Sequence, residues 1–282
     1  MRAGWVGLLT ALVVTLAALP SGAQPGSACG EPRVLESRGA TTRYAISPLP
    51  AQEAPPSVLM LIGGSGKINL DDKCCPRFQT GSSLMRMRMT LRTAGFVVVL
   101  VDVPSDHAGE DGLGGFRNQP AHAEDLGKII QDVRARTRGA VWVMGHSRGT
   151  ISAASAAARL SGPAAPDGTI LLSSMLVGDS RARKVWAAQT VFDVPLEAIR
   201  KPLLVLGHAA DNCPRSPASL GASVAKRAAG APVQVVTMTG GTVAAGRPPA
   251  LSACEVGEPH DFIGQEAELV AGLMRFMSGG SY

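Results

Sequence analysis

Aromatic residues are scarce in this chain: three Trp, two Tyr and six Phe among 282 residues, 4% of the total. That excludes a stacking platform for nucleic-acid bases or polysaccharide rings. A concentrated charge of one sign is also missing. Lys and Arg number 27 against 22 Asp and Glu, a formal net charge of +5, and the basic residues are scattered rather than gathered in a stripe. Such a distribution reads as a solvated basic surface and not as a nucleic-acid footprint. No Cys or His spacing resembles a metal-ligand set, so no metal centre is expected. The glycine run from Gly63 to Lys67 fails as a phosphate loop, because the first Gly of that motif would fall on Leu61 and Ile68 follows the Lys in place of Ser or Thr. There is no internal repeat and no low-complexity linker. Beyond Leu19 no apolar run is long enough for a membrane span of ~20 residues.

The N-terminus has a different character. Met1-Arg2 precedes an apolar stretch from Trp5 to Leu19, then Pro20 and the small triplet Ser21-Gly22-Ala23. A positive start, a short apolar stretch and small residues describe an export signal over residues 1–23, cleaved after Ala23, rather than a retained anchor. A lipoprotein signal needs a Leu three residues before its cysteine, and Gly26-Ser27-Ala28-Cys29 lacks it. The remainder, 24–282, suits one α/β domain, with a chain 45% hydrophobic to supply its core. A periplasmic or extracellular setting is expected. There, five cysteines give up to two disulfides and one spare thiol. Cys29 can reach Cys74 or Cys75; a bond between the adjacent Cys74 and Cys75 is geometrically awkward.

Continuous apolar runs bounded by Pro and Gly mark strands buried on both faces. Six stand out: 57–62, 96–101, 141–144, 169–172, 203–206 and 233–238, with two short leading strands at 33–35 and 42–46. Helical patterns fall between them at 83–94, 120–136, 150–160, 217–229 and 266–277. In the second, Ala123, Leu126, Ile129, Ile130 and Val133 share a face and Pro120 suits a first helical position. Strands alternating with helices predict a mostly parallel, doubly wound sheet with helices on both faces. Met85, Met87 and Met89 alternate along the first helix as packing residues.

Gly145-His146-Ser147-Arg148-Gly149 lies between the third of these strands and a helix. In that context G-x-S-x-G means a nucleophile elbow: a serine at the tip of a strained turn, with glycines where the backbone packs too tightly for side chains. A serine nucleophile needs a base, and the base an orienting acid. In an open α/β sheet these meet in loops at the carboxyl ends of strands. His260, between the last strand and the last helix, is the expected base. Among the other histidines, His146 is a wall or core residue, His122 is solvated, His208 supports the acid loop, and His107 sits in a Gly-rich loop over the site. Asp211 is the expected acid, with Asp179 as runner-up.

The order Ser147, Asp211, His260 resembles that of the α/β-hydrolase superfamily, and the chain is similar to small exported lipases, esterases and dienelactone-hydrolase-like proteins. The resemblance covers nearly all of the mature chain and implies the α/β-hydrolase fold. It also implies an oxyanion hole built from the backbone N–H of Arg148 and that of Gly64 or Ser65. The His-Gly motif of the better-known lipases is absent, and Ile62-Gly63-Gly64-Ser65-Gly66 stands in its place. Cys213 and Cys254 flank the acid and base loops, so a bond between them would tie those loops together. The stretch 175–200, where the superfamily inserts lids, is short and is expected to hold one helix around 184–189. Substrate contacts are expected from His107, Phe116, Arg117 and Trp186. These features imply a serine hydrolase of small carboxylic esters, needing no cofactor. A thioesterase, a peptidase or an acyltransferase would use the same three residues. A binding protein of the same fold would not need them.

Overall fold

The computed structural model describes Met1 and residues 29–241 and 248–282. The export segment expected over 1–23 lies, apart from Met1, outside the described residues. An antiparallel hairpin opens the fold, β1 (Glu31–Ser37) and β2 (Ala40–Ile46). Its two-residue turn, Arg38 and Gly39, has φ of 57° and 75°. Positive φ at both central positions is the turn geometry that matches strand twist. The core strands follow as β3 (Ser57–Leu61), β4 (Val97–Pro104), β5 (Val141–His146), β6 (Gly168–Leu172), β7 (Leu203–His208) and β8 (Val233–Met238). Helices intervene as α1 (Ser83–Thr93), α2 (Pro120–Thr137), α3 (Gly149–Arg159), α4 (Gly221–Arg227) and α5 (Glu266–Met277).

The eight strands form one sheet in the order β1-β2-β4-β3-β5-β6-β7-β8. β1 and β2 pair antiparallel, as do β2 and β4; every other pair is parallel. Parallel neighbours need crossovers, and these put helices on both faces. Alternate strand residues sort between two cores. Leu59, Val97, Val99, Val143 and Val205 pack with Leu126, Ile130 and Val133 of α2 and Ile151 of α3. Val58, Met60, Val98, Met144 and Leu204 pack with Leu84 and Met87 of α1 and Leu269 and Leu273 of α5. Both faces are buried, which is why these strands read as unbroken apolar runs. Met85 and Met87 pack in the second core as expected, while Met89 is 53% exposed on the outer face of the helix.

The β6-to-β7 crossover differs from the rest. In place of one helix around 184–189 it holds three single turns of 3₁₀ helix, Val185–Ala188, Val191–Asp193 and Leu196–Ala198. Thr190 and Asp193 close a capping box on the second of these. Val191, Val194, Leu196 and Ile199 are buried beneath, so the segment is pinned to the core rather than standing over the sheet. The helix expected at 217–229 also begins as a 3₁₀ turn, Ala218–Leu220, before α4. Among the described residues, no helix is long and apolar enough to cross a membrane.

Candidate active site

Ser147 leaves β5 with φ 52°, in the left-handed region that side chains other than glycine avoid. The local packing holds it there. A β-carbon at Gly149 would stand 1.9 Å from the carbonyl oxygen of Leu61, and one at Gly145 2.4 Å from that of Gly149. Both glycines are therefore required for the turn to approach β3 and α3. The Ser147 N–H donates to Leu172 O at 2.9 Å, and Thr150 Oγ1 donates to Ser147 O at 2.6 Å. The serine forms part of the wall of a cavity of about 400 Å³ with His146, Gly63, Gly64, Gln79 and Glu255.

Asp211 follows β7 and His260 lies in a 3₁₀ turn, Pro259–Asp261, before α5. The two side chains are 0% and 1% exposed, with His260 Nδ1 2.9 Å from Asp211 Oδ2. A carboxylate only accepts, so Nδ1 carries the imidazole proton and Nε2 is left with its lone pair. Asp211 Oδ1 also accepts from Cys213 N at 2.8 Å, and Oδ2 from Ser216 Oγ at 2.8 Å. The His260 carbonyl accepts from Ser173 Oγ at 2.7 Å and from His146 Nε2 at 3.0 Å. Next to it, Asp261 accepts from Ser83 N at 2.7 Å and pairs with Arg86 at 2.9 Å. The ring is thus fixed through its backbone and through Nδ1. Its Nε2 is buried without a partner, so Ser147 and His260 are not joined by a hydrogen bond.

Cys213 and Cys254 form a disulfide, as expected from their places beside these loops. Cys29 bonds Cys75, and Cys74 is free and buried. Asp211, Cys213 and His260 hold donor atoms within 4.8 Å of one another, but the disulfide removes the thiolate a metal would need.

His146, the expected wall residue, is buried and lines the cavity. Burial, then the neighbouring His260, pushes its pKa down to about 4, so its 3.9 Å approach to Asp261 is no ion pair at neutral pH. His208 supports the loop that carries Asp211, as expected. It accepts from Ala210 N at 3.1 Å through Nδ1, and its Nε2 stands 2.9 Å from Gln265 Oε1. His122 is not solvated: it is 4% exposed, with Nε2 2.9 Å from Ser152 Oγ, and burial pushes its pKa down to about 3. Asp179, the alternative acid, pairs with Arg215 at 2.7 Å instead of joining His260.

Gly64 lines the cavity and Ser65 does not; the Ser65 carbonyl accepts from Leu113 N at 2.9 Å. Gly63, passed over in the sequence, is the residue pressed against the serine, since a β-carbon there would lie 3.0 Å from Ser147 Cβ. Arg148 directly precedes α3, where a backbone N–H has no intrahelical acceptor. Its guanidinium lies 4.1 Å above the Trp186 ring.

None of the four expected substrate contacts is part of this cavity wall. His107 stacks on Phe116 with centroids 4.0 Å apart, and Phe116 is itself buried. Trp186 supports Arg148 and borders a separate surface hollow. Arg117 is 1% exposed and hydrogen-bonds the backbone of residues 62 and 64. Gln79 and Glu255 line the cavity instead. Gln79, with φ 58°, carried no motif that could have marked it.

No protein-family model matches the chain, and no curated protein matches it. Solved structures do. An α/β serine hydrolase homologue from Coxiella burnetii is 16% identical, with a TM-score of 0.53 over 88% of this chain and 97% of that one. Esterase 2 of Thermogutta terrifontis phosphonylated by sarin is 13% identical, with a TM-score of 0.59 over 91% and 98%. Dipeptidyl peptidase 4 of Porphyromonas gingivalis is 14% identical, with a TM-score of 0.51 over 74% of this chain and 31% of that one. Identities this low speak to architecture alone. The sheet order, the elbow after β5 and these likenesses together show that the chain has the α/β-hydrolase fold.

Proposed function

We propose that the protein is a serine hydrolase that cleaves small carboxylic esters through an acyl-enzyme. The observation that carries the reading is the pairing of a strained serine on a cavity wall with a buried Asp211–His260 couple whose Nε2 is free to accept a proton. Ser147 Oγ attacks the ester carbonyl while His260 Nε2 takes its proton. Asp211 stabilises the imidazolium through Nδ1–H. The tetrahedral oxyanion is held by the N–H of Arg148 and by an N–H of the Gly63–Ser65 segment, each donor worth about 2.7–4 kcal/mol in the transition state. Collapse breaks the ester C–O bond, and Nε2–H protonates the departing alcohol. Water, deprotonated by the same Nε2, then releases the acid and restores Ser147. Small esters suit a cavity of about 400 Å³ with the polar Gln79 and Glu255 in its wall. The two disulfides support an oxidising compartment.

Turnover of p-nitrophenyl esters from acetate to palmitate, beside matched thioester and anilide substrates, tests the reading. Fastest turnover on short esters is expected. Preference for the thioester or anilide would make the protein a thioesterase or peptidase. Diversion of product to a new ester on adding alcohol would make it an acyltransferase. No turnover of any of them would favour a binding protein.

A further inference from the structure

Arg117 heads the largest fully buried side chains, and among the described residues no carboxylate faces its guanidinium. Its hydrogen bonds go to neutral oxygens: Nη1 to Ser152 Oγ at 2.9 Å, Nη2 to the carbonyls of Ile62 at 3.0 Å and Gly64 at 3.2 Å, with that of Gly63 at 3.5 Å. Nε has no partner. Burying an unpaired charge is costly, and an apolar side chain of similar volume would avoid that cost. Room has been made for it nonetheless: a β-carbon at Gly66, φ 85°, would stand 2.9 Å from Nη2.

What the arginine accomplishes follows from peptide geometry. In a trans peptide the C=O and the next N–H point in opposite directions from one plane. Drawing the carbonyls of Ile62, Gly63 and Gly64 toward one nitrogen therefore turns the N–H groups of Gly63, Gly64 and Ser65 away from it. Gly63 and Gly64 line the cavity beside Ser147. A cation on the carbonyl side also polarises those peptides, strengthening their N–H groups as donors.

We propose that Arg117 is a positioning residue: it orients and polarises the 62–65 peptides so that they receive the oxyanion formed at Ser147. The inference rests on the reading of Ser147 as nucleophile. Arg117→Met and Arg117→Lys test it through kcat and KM on p-nitrophenyl acetate, the Kd of phenylboronic acid (a tetrahedral-adduct mimic), and melting temperature. In folded Arg117→Met, kcat is expected to fall about 100-fold, the size of losing an oxyanion donor. KM should stay within about threefold, and boronate affinity should fall with kcat. Arg117→Lys, which keeps the charge with fewer donors, should recover about tenfold of that loss. If Arg117→Met does not fold, the lysine variant carries the test, expected about tenfold below the parent in kcat and in boronate affinity at unchanged KM.

Variants that fold with kcat and boronate affinity within about twofold of the parent overturn the inference. So do losses shared equally by KM and kcat that track melting temperature while boronate affinity holds. Labelling the parent with a fluorophosphonate separates the two failures. An active parent labelled at Ser147 with unaffected variants sinks the inference alone. A parent neither active nor labelled removes the nucleophile reading, and the inference with it.

Discussion

Ser216 Oγ stands 2.9 Å from His260 Nδ1, as near as the Asp211 carboxylate does. The Ser216 O–H donates to Asp211 Oδ2 at 2.8 Å, so the Nδ1–H of His260 is shared between a carboxylate and a hydroxyl oxygen that are themselves bonded. The carboxylate dictates the tautomer; the serine only supports it. Asp211→Asn places an amide donor against Nδ1 and drives the proton to Nε2. Its kcat on p-nitrophenyl acetate should fall on the order of 10³–10⁴-fold with the fold intact. Ser216→Ala leaves Asp211 with Cys213 N and His260, and should cost about tenfold or less.

Gly63→Ala should reduce kcat while leaving the protein folded. The new methyl would meet Ser147 Cβ at 3.0 Å and the His146 carbonyl at 3.1 Å, so the serine and its loop must separate by tenths of an ångström. A loss of kcat on the order of tenfold with a stability change of about 1–2 kcal/mol is expected. Gly149→Ala, with its methyl 1.9 Å from Leu61 O, should instead fail to give soluble folded protein. Thermal melts of the two variants, run beside the ester assay, distinguish these outcomes.

The Cys213–Cys254 bond closes a segment with a sequence separation of 41 and spans the loops that carry Asp211 and His260. Replacing both cysteines by Ala should destabilise the protein by about 2–4 kcal/mol in urea unfolding. It should also lower kcat more than KM, because the Asp211–His260 distance is no longer tethered. Full activity in a folded double variant would show that the bond serves stability alone.

Acidification should destabilise the fold through two buried histidines. His122 and His146 titrate at about 3 and about 4 when folded, against 6.5 as the ordinary value. Burial is the first cause for both. From about pH 6.5 down to about pH 4 for His146 and about pH 3 for His122, the unfolded chain binds protons that the folded chain does not, so stability is full above pH 6.5 and falls as pH drops through that window. The combined effect is on the order of several kcal/mol. Urea unfolding at pH 7.5 and pH 5 should show it, and His122→Gln should flatten the slope.

Much of this was legible in the sequence, for identifiable reasons. Strands such as Val141–His146 are buried on both faces and so carry no alternation to misread. The elbow is local, five residues whose glycines answer to contacts within a turn or two, with Leu61 across the sheet as the exception. That Asp211 and His260 lie side by side was readable because the fold brings strand ends together. The parts that stayed hidden depend on distant packing. Arg117 and His122 look like loop and helix-surface residues until the backbone of 62–64 and Phe116 close over them. Cys75 rather than Cys74 meets Cys29 because a turn around Asp71 sets Cys74 at φ 60°, in the left-handed region, and Cys29 N donates to Lys73 O at 2.9 Å. Nothing in the spacing of adjacent cysteines encodes that turn.

Ser147 as nucleophile is open to a chemical test independent of any substrate. Incubating the protein and its Ser147→Ala variant with a fluorophosphonate, then mapping the adduct by peptide mass spectrometry, tests it most directly. One adduct per chain is expected, on the peptide that carries Ser147, and none on the variant. An adduct on another residue, or equal labelling of both proteins, would contradict it.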